Sequence, residues 1–278
     1  MIRLLALDID GTLLDSNGVL PEANRRAIAD AIGCGVEVAL ATGRRYDFAR
    51  SIFEQLPSPL TLILSNGAVV KTCDGETLQR RLLPREIAHD VLRRTPEHRE
   101  SAAVVFDRPR EGQVVFEAID WEHPRHRRFF ASNRPFLAES KPLEDCLSED
   151  PVQVMFSGGC SSMQTLYELL KHSSDGLFSV ALTEYQHRDF SLVDVIRAGV
   201  SKGTALQEWA TSRGCARDEV MAIGDNLNDV EMLEFAGTAV VMGNAAPDLK
   251  TRGWLETESN DNTGVARAVE TLILRAAS

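Results

Sequence analysis

The chain has no C-x-x-C pair: its five cysteines, Cys34, Cys73, Cys146, Cys160 and Cys215, are odd in number and scattered. That argues against a disulfide framework and suits reduced thiols in a cytoplasmic protein. No apolar run approaches the roughly 18 residues of a membrane helix, and the short run before Asp8, with one arginine in it, is too brief for a secretion signal. Basic residues are in the minority, with 30 Lys plus Arg against 41 Asp plus Glu and a formal charge of −11. A surface that coats a nucleic acid polymer is therefore not expected, although a local basic pocket is compatible with this balance. There is no internal repeat and no low-complexity linker. The first apolar run is not followed by G-x-G-x-x-G, which removes the ground for a dinucleotide-dependent dehydrogenase. His89, His98 and His172 form no metal-spaced cluster and are expected on the surface.

What remains is a soluble globular composition, 44% hydrophobic and 26% charged over 278 residues. At roughly 150 residues per domain this length accommodates two domains. A chain of this size buries about three quarters of its unfolded surface and needs no staples.

The apolar patterning is layered. Residues 2–9 form a nearly continuous apolar run, as in a strand buried on both faces of a parallel sheet. Residues 21–32 carry apolar side chains at helical spacing, 36–41 are a second buried strand, 44–56 a helix and 61–64 a third strand. Strand-like runs at 102–106, 114–118, 152–156 and 178–182, with a helix over 161–172, give the middle of the chain an α+β character. The alternating rhythm resumes with a helix at 202–211, strands at 220–223 and 239–242, and helices at 229–236 and 265–274. The expected fold is α/β: a three-layer Rossmann-like core with a parallel sheet, built from 1–81 and 194–278, with an α+β cap inserted over 82–193.

Carboxylates stand where strands end. Asp8 follows Leu4-Leu5-Ala6-Leu7, a place where an isolated charge is costly to bury. Asp10 lies two residues on, so an ideal strand would aim both side chains the same way, and Gly11 permits a tight departure. Asp225 and Asp229 follow another strand, Thr42 and Asn66 two more, and ligands of open parallel sheets bind beyond such carboxyl ends. One carboxylate could act as nucleophile while the other moves a proton, and Asp225 could complete a hard-cation site of oxygen ligands. Taken singly, each has a plainer reading. Asp8 with Asp10, and Asp225 with Asp229, could be turn and cap residues; Thr42 a capping hydroxyl; Lys202 a solvated helix start.

Four motifs in order change that balance. Asp8-Ile9-Asp10-Gly11-Thr12-Leu13, Ala41-Thr42-Gly43-Arg44, Ser201-Lys202-Gly203 and Gly224-Asp225-Asn226-Leu227-Asn228-Asp229 together resemble the haloacid dehalogenase-like hydrolase superfamily. Within it the chain resembles the Cof-type phosphatases, whose large cap lies between the second and third motifs; Ser65-Asn66-Gly67-Ala68 and residues 239–245 extend the likeness. The resemblance implies that Asp8 is the nucleophile and forms an aspartyl-phosphate, and that Asp10 is the general acid and later base. It implies Mg2+ held by the Asp8 and Asp225 side chains and the Asp10 backbone carbonyl. Thr42 and Lys202 would hold the phosphoryl group with help from Asn228, Asp229 would orient Lys202, and Gly43, Arg44 and Asn66 would line the substrate side. Neutralisation is needed because a dianionic phosphate repels a carboxylate nucleophile. Two departures, no proline before Gly199 and Asn262-Thr263 in place of an acidic pair, do not touch these residues.

The cap would supply selectivity. Its segment Trp121 to Arg128 combines an aromatic ring with several cations, suited to a second anion or a sugar or base face, or else simply a solvated basic surface. Arg45, His187 and Arg188 are further candidates. The expected activity is Mg2+-dependent hydrolysis of a small phosphomonoester, a sugar phosphate first, by a monomer or weak homodimer. Its partner would be a small phosphorylated metabolite, not a membrane. Alternative substrates are a nucleotide or FMN, or a sucrose- or mannosyl-phosphoglycerate-type phosphate. A phosphohexomutase and a non-catalytic sugar-phosphate sensor are the alternative functions.

Overall fold

Leu4–Leu7, wholly buried, forms strand β1 of the computed structural model, which describes residues 1–123 and 126–275. Pro124 and Arg125, within the basic cap segment, lie outside the described residues, as do the side chains of Arg128 and His187. The following strands, in chain order, are β2 (Glu37–Ala41), β3 (Thr61–Leu64), β4 (Val69–Thr72), β5 (Thr77–Arg80), β6 (Ala102–Val105), β7 (Val114–Phe116) and β8 (Leu137–Glu139). They continue with β9 (Gln153–Gly158), β10 (Phe178–Tyr185), β11 (Phe190–Arg197), β12 (Val220–Gly224), β13 (Thr238–Val241) and β14 (Leu255–Glu256). The chain divides into two compact units, one made of Met1–Arg80 with the chain from Val200 onward, the other of Arg81–Gly199.

The first unit is a Rossmann-like α/β layer structure. Its sheet runs β14-β13-β12-β1-β2-β3-β4-β5. Every neighbour pair from β14 to β3 is parallel, whereas β3–β4 and β4–β5 are antiparallel. The sheet is thus mixed rather than purely parallel. The hairpin at its edge escapes the sequence pattern because β5 alternates between half-buried and exposed residues and has no apolar run. Helices Glu22–Gly33 and Gly264–Val269 pack as one pair, Lys202–Ser212 and Val230–Phe235 as another.

Strand β1 is the centre of this arrangement. Its four residues are fully buried, and each buried leucine contributes about 1.5–3 kcal/mol. From β1 the chain builds outward through β2 and β3 on one side, and later through β12 and β13 on the other. That reversal of direction opens a crevice at the carboxyl ends of β1 and its neighbours. The paired register places Leu7 opposite both Leu40 and Ile223, so Asp8 emerges level with the ends of β2 and β12.

The second unit is a six-stranded sheet, β10-β11-β9-β6-β7-β8, antiparallel except for β7–β8. Helix Cys160–His172 buries Met163, Leu166 and Leu170 and packs on β9, β10 and β11. A second apolar cluster gathers Ala103, Val105, Phe116 and Phe130, with Met155 against it. Strand β11 carries a buried Asp194 in mid-strand, accepting from Gln153 Nε2 at 2.7 Å, and this interruption hides the strand from a search for apolar runs. Trp121 is partly exposed, edge-on to Phe130 at 6.0 Å, with the Arg134 guanidinium 4.8 Å from its ring centroid. No helix among the described residues is long and apolar enough to cross a membrane.

Candidate active site

Asp8 follows the last residue of β1, and its backbone N–H continues the ladder to the Ile223 carbonyl at 3.1 Å. The chain then turns through Gly11, whose φ of +83° suits a residue without a side chain. A Cβ at Gly11 would also collide with the Asp225 carboxylate, so the glycine lets the β1 loop and the β12 loop touch. Thr12 seals that contact, its Oγ1 donating to Asp225 Oδ1 at 2.8 Å. Asn244 Nδ2 donates to the Gly11 carbonyl and Asn260 Nδ2 to the Leu14 carbonyl, so two later loops hold the same turn.

Lys202 is presented by a capped helix start. Ser201 Oγ accepts from the Thr204 N–H, and Thr204 Oγ1 accepts from the Ser201 N–H, a capping box with threonine in the third position. Gly203 allows the close approach of the next helix, since a Cβ there would lie 2.5 Å from the Glu231 backbone. Only 1% of the Lys202 side chain is exposed. Its ammonium donates to Asp8 Oδ1 at 2.6 Å and to Asp229 Oδ1 at 2.7 Å. The other Asp229 oxygen accepts the N–H groups of Asp225 and Asn226, both at 3.0 Å. Asp229 therefore fixes the lysine with one oxygen and the β12 loop with the other.

Asp8, Asp225 and Asp229 each present a carboxylate oxygen, and these atoms lie within 4.8 Å of one another. The three carboxylates share one buried ammonium, so the fully ionised cluster carries two uncompensated negative charges. Burial pushes the Asp8 carboxyl up to about 7 from its ordinary 3.8 against the pull of Lys202, with Asp229 and Asp10 adding to the rise. Burial, then the charges of Asp8 and Asp229, hold the Asp225 carboxyl well above its usual range. Burial opposes the Lys202 ammonium, but Asp229 and Asp8 outweigh it and raise its affinity for the proton. An all-oxygen donor set with this charge deficit fits a divalent hard cation. Asp8 and Asp225 are the better ligands, because both oxygens of Asp229 already accept hydrogen bonds.

The remaining expected residues gather at the ends of β2 and β3. Thr42 is buried, and its Oγ1 accepts the Arg44 N–H at 3.1 Å. Asn66, in left-handed backbone at φ +54°, donates its N–H to the Thr42 carbonyl and accepts Asn228 Nδ2 at 2.9 Å. A Cβ on Gly43 would stand 3.3 Å from Asn66 Oδ1. Thr42, Asn66 and Asn228 are thus one connected set. Asp10 does not share the partner of Asp8: its carboxylate is held by Arg44, because β1 stops at Leu7 and the turn beyond it ends the strand alternation. Arg44, expected beside the substrate, is found on Asp10. The sequence assigns no role to Thr12, Asn244 or Asn260: Thr12 and Asn244 lie within stretches that carry the resemblance, but nothing in the pattern says what their side chains hold.

The chain matches the haloacid dehalogenase-like hydrolase family over residues 5–269. It belongs to that family. It is a phosphatase of the superfamily with Cof-type features, and several relatives resemble it along nearly their whole length. "Phosphatase YwpJ" of Bacillus subtilis (strain 168) is 28% identical over 294 aligned positions, covering 98% of this chain and all of that one. "Pyridoxal phosphate phosphatase YbhA" of Escherichia coli (strain K12) is 27% identical, covering 96% of this chain and 97% of its own. A solved haloacid dehalogenase-like hydrolase from B. subtilis superposes with a TM-score of 0.81 at 25% identity, covering 98% of this chain and all of that one.

Proposed function

We propose that this chain hydrolyses small organic phosphomonoesters in the presence of Mg2+, through an aspartyl-phosphate on Asp8. The observation that carries the reading is the buried Asp8–Lys202–Asp229 chain beside Asp225, at the point where the sheet reverses direction. Asp8, at the end of a rigid buried strand, attacks phosphorus. Lys202, held by Asp229, neutralises phosphoryl oxygens, with the Thr42 hydroxyl, the Gly43 backbone and the amides of Asn228 and Asn66 as further donors. Asp10 gives a proton to the leaving alcohol and takes one from the water that later splits the aspartyl-phosphate. The Asp8 and Asp225 side chains with the Asp10 carbonyl would hold Mg2+, which when bound supplies positive charge to the phosphate and the nucleophile together.

For the organic group we retain a sugar phosphate first, in an intracellular monomer or weak homodimer. A phosphorylated heteroaromatic ring is the second choice, supported by the named activity of the pyridoxal phosphate phosphatase relative. The test is phosphate release from sugar phosphates, pyridoxal phosphate, FMN, nucleotides and phosphoglycolate-sized acids, with Mg2+, with EDTA, and with Asp8→Asn. Release that vanishes in both controls supports the reading and ranks the substrates. Absence of release from every compound would move the assignment to a mutase or a sensor, and a bisphosphate requirement would single out the mutase.

A further inference from the structure

Asp10 and Arg44 form a two-point ion pair. Nε donates to Oδ2 at 2.7 Å and Nη2 to Oδ1 at 2.6 Å, so the plane of the guanidinium sets the plane of the carboxylate. Arg44 is fixed in turn. Its backbone N–H is on Thr42 Oγ1, its Nη1 donates to the Phe48 carbonyl at 3.3 Å, and its guanidinium lies 4.4 Å from the Phe48 ring centroid. A line of contacts thus runs from the end of β2 and the helix Tyr46–Phe53 to the Asp10 carboxylate. Asp10 needs such support, for it sits beyond the end of β1 on the turn before Gly11, paired in no strand and with a non-helical backbone, and 27% of its side chain is exposed. Nε, Nη1 and Nη2 of Arg44 each already have a protein acceptor, which is the arrangement of a strut.

We propose that Arg44 is a positioning residue for Asp10, fixing the carboxyl group so that it faces the leaving oxygen; this rests on the reading of Asp10 as the general acid. As the bond from phosphorus to the leaving oxygen breaks and the bond to Asp8 forms, the leaving oxygen takes the Asp10 proton. When water attacks the aspartyl-phosphate, its proton returns to Asp10, its hydroxyl goes to phosphorus, and Asp8 is regenerated as phosphate leaves. The two-point pair therefore holds the plane of the carboxylate fixed through both proton transfers.

This assignment has a signature that neither a substrate contact nor a folding role shares. A general acid matters for an alkoxide leaving group and little for p-nitrophenolate, which departs unaided. We compare kcat/KM, which reports the steps through ester cleavage, for p-nitrophenyl phosphate and for the alkyl phosphate the wild type hydrolyses best. Arg44→Ala is expected to lose about 30- to 100-fold on the alkyl ester and less than about 3-fold on the aryl ester. Arg44→Lys, which keeps the charge but not the fork, should show the same selectivity with a smaller loss, and it carries the comparison if the alanine variant does not fold. In an Asp10→Asn background, Arg44→Ala should cost less than about 3-fold further on the alkyl ester. Equal losses on both esters, no loss on either, or an undiminished effect without Asp10 would each overturn the assignment while leaving the phosphatase reading standing. Failure of the wild type to hydrolyse either ester with Mg2+ would overturn both.

Discussion

The Lys202 ammonium lies 2.6 Å from Asp8 Oδ1, and both side chains are buried. The two are remote in sequence, and their meeting joins the end of the central strand to the capped start of a helix. A lysine alone could not make both ends of this contact stable. Asp229 supplies the second carboxylate that keeps the ammonium charged and pointing inward.

Removing that lysine should damage both stability and chemistry. Lys202→Met leaves three carboxylates crowded without their shared cation, and breaking a buried pair from one side costs about 3–5 kcal/mol. Urea titration of the metal-free protein should show that loss, and added Mg2+ should recover part of it. Turnover should fall by about 10²- to 10³-fold with Mg2+ saturating, as expected for removal of one preorganised donor to the phosphoryl group. A variant as active as the wild type would contradict the role given to Lys202.

Metal dependence should follow Asp225. EDTA should abolish turnover and added Mg2+ restore it, while Asp225→Asn should need far more Mg2+ for half-maximal rate. Binding to the folded state alone also raises stability. Mg2+ should therefore raise the Tm of the wild type and have less effect on Asp8→Asn and Asp225→Asn. An equal Tm shift in all three proteins would place the cation elsewhere.

The metal-free protein should lose stability as pH rises. The Asp8 carboxyl is raised from 3.8 to about 7 on folding, so between those values the folded chain holds a proton that the unfolded chain has released. Stability is therefore greatest below about pH 4 as far as this group is concerned, and declines until about pH 7; Asp225 acts in the same direction. In EDTA, Asp8→Asn should gain on the wild type between pH 5 and pH 8, read as the difference in urea midpoints. Mg2+ should narrow the gap at pH 8. A difference that does not change with pH would refute the assignment.

Gly11→Ala tests the junction of the two loops. The substitution strains a backbone at φ +83°, costing about 1–3 kcal/mol, and drives a methyl group into the Asp225 carboxylate. The expected result is a lower Tm together with a weakened Mg2+ requirement curve. Thr12→Val removes only the hydrogen bond to Asp225, and should weaken Mg2+ binding with a smaller change in Tm. Normal Mg2+ dependence in both variants would mean that the junction does not shape the cation site.

Much of this molecule is legible in one dimension. Leu4-Leu5-Ala6-Leu7 can be read as a doubly buried strand because its apolar run is unbroken. Asp8, Asp10, Thr42 and Asp225 stand out because polar residues follow such runs, and Lys202 because its motif takes its place in the order. The layered core and the separate second sheet follow from where that rhythm stops and resumes. Less visible are β5, with its half-exposed alternation, and β11, where a buried Asp194 interrupts the apolar pattern. Short-range patterning reports burial, and these strands owe their places to pairing partners elsewhere in the chain.

Apart from Lys202 and Asp229, whose pairing the family resemblance implied, the partners of the charged groups were decided by the tertiary structure. Sequence spacing put Asp8 and Asp10 on a common face, but the strand ends before them, and one carboxylate meets Lys202 while the other meets Arg44. Thr12 reaches Asp225, and Asn66 reaches Asn228, across distances in sequence that no local pattern spans. The apolar order of a chain determines which segments must leave water. Which buried charge neutralises which depends on directional contacts a few ångströms long, and those exist only after the strand ends have been brought together.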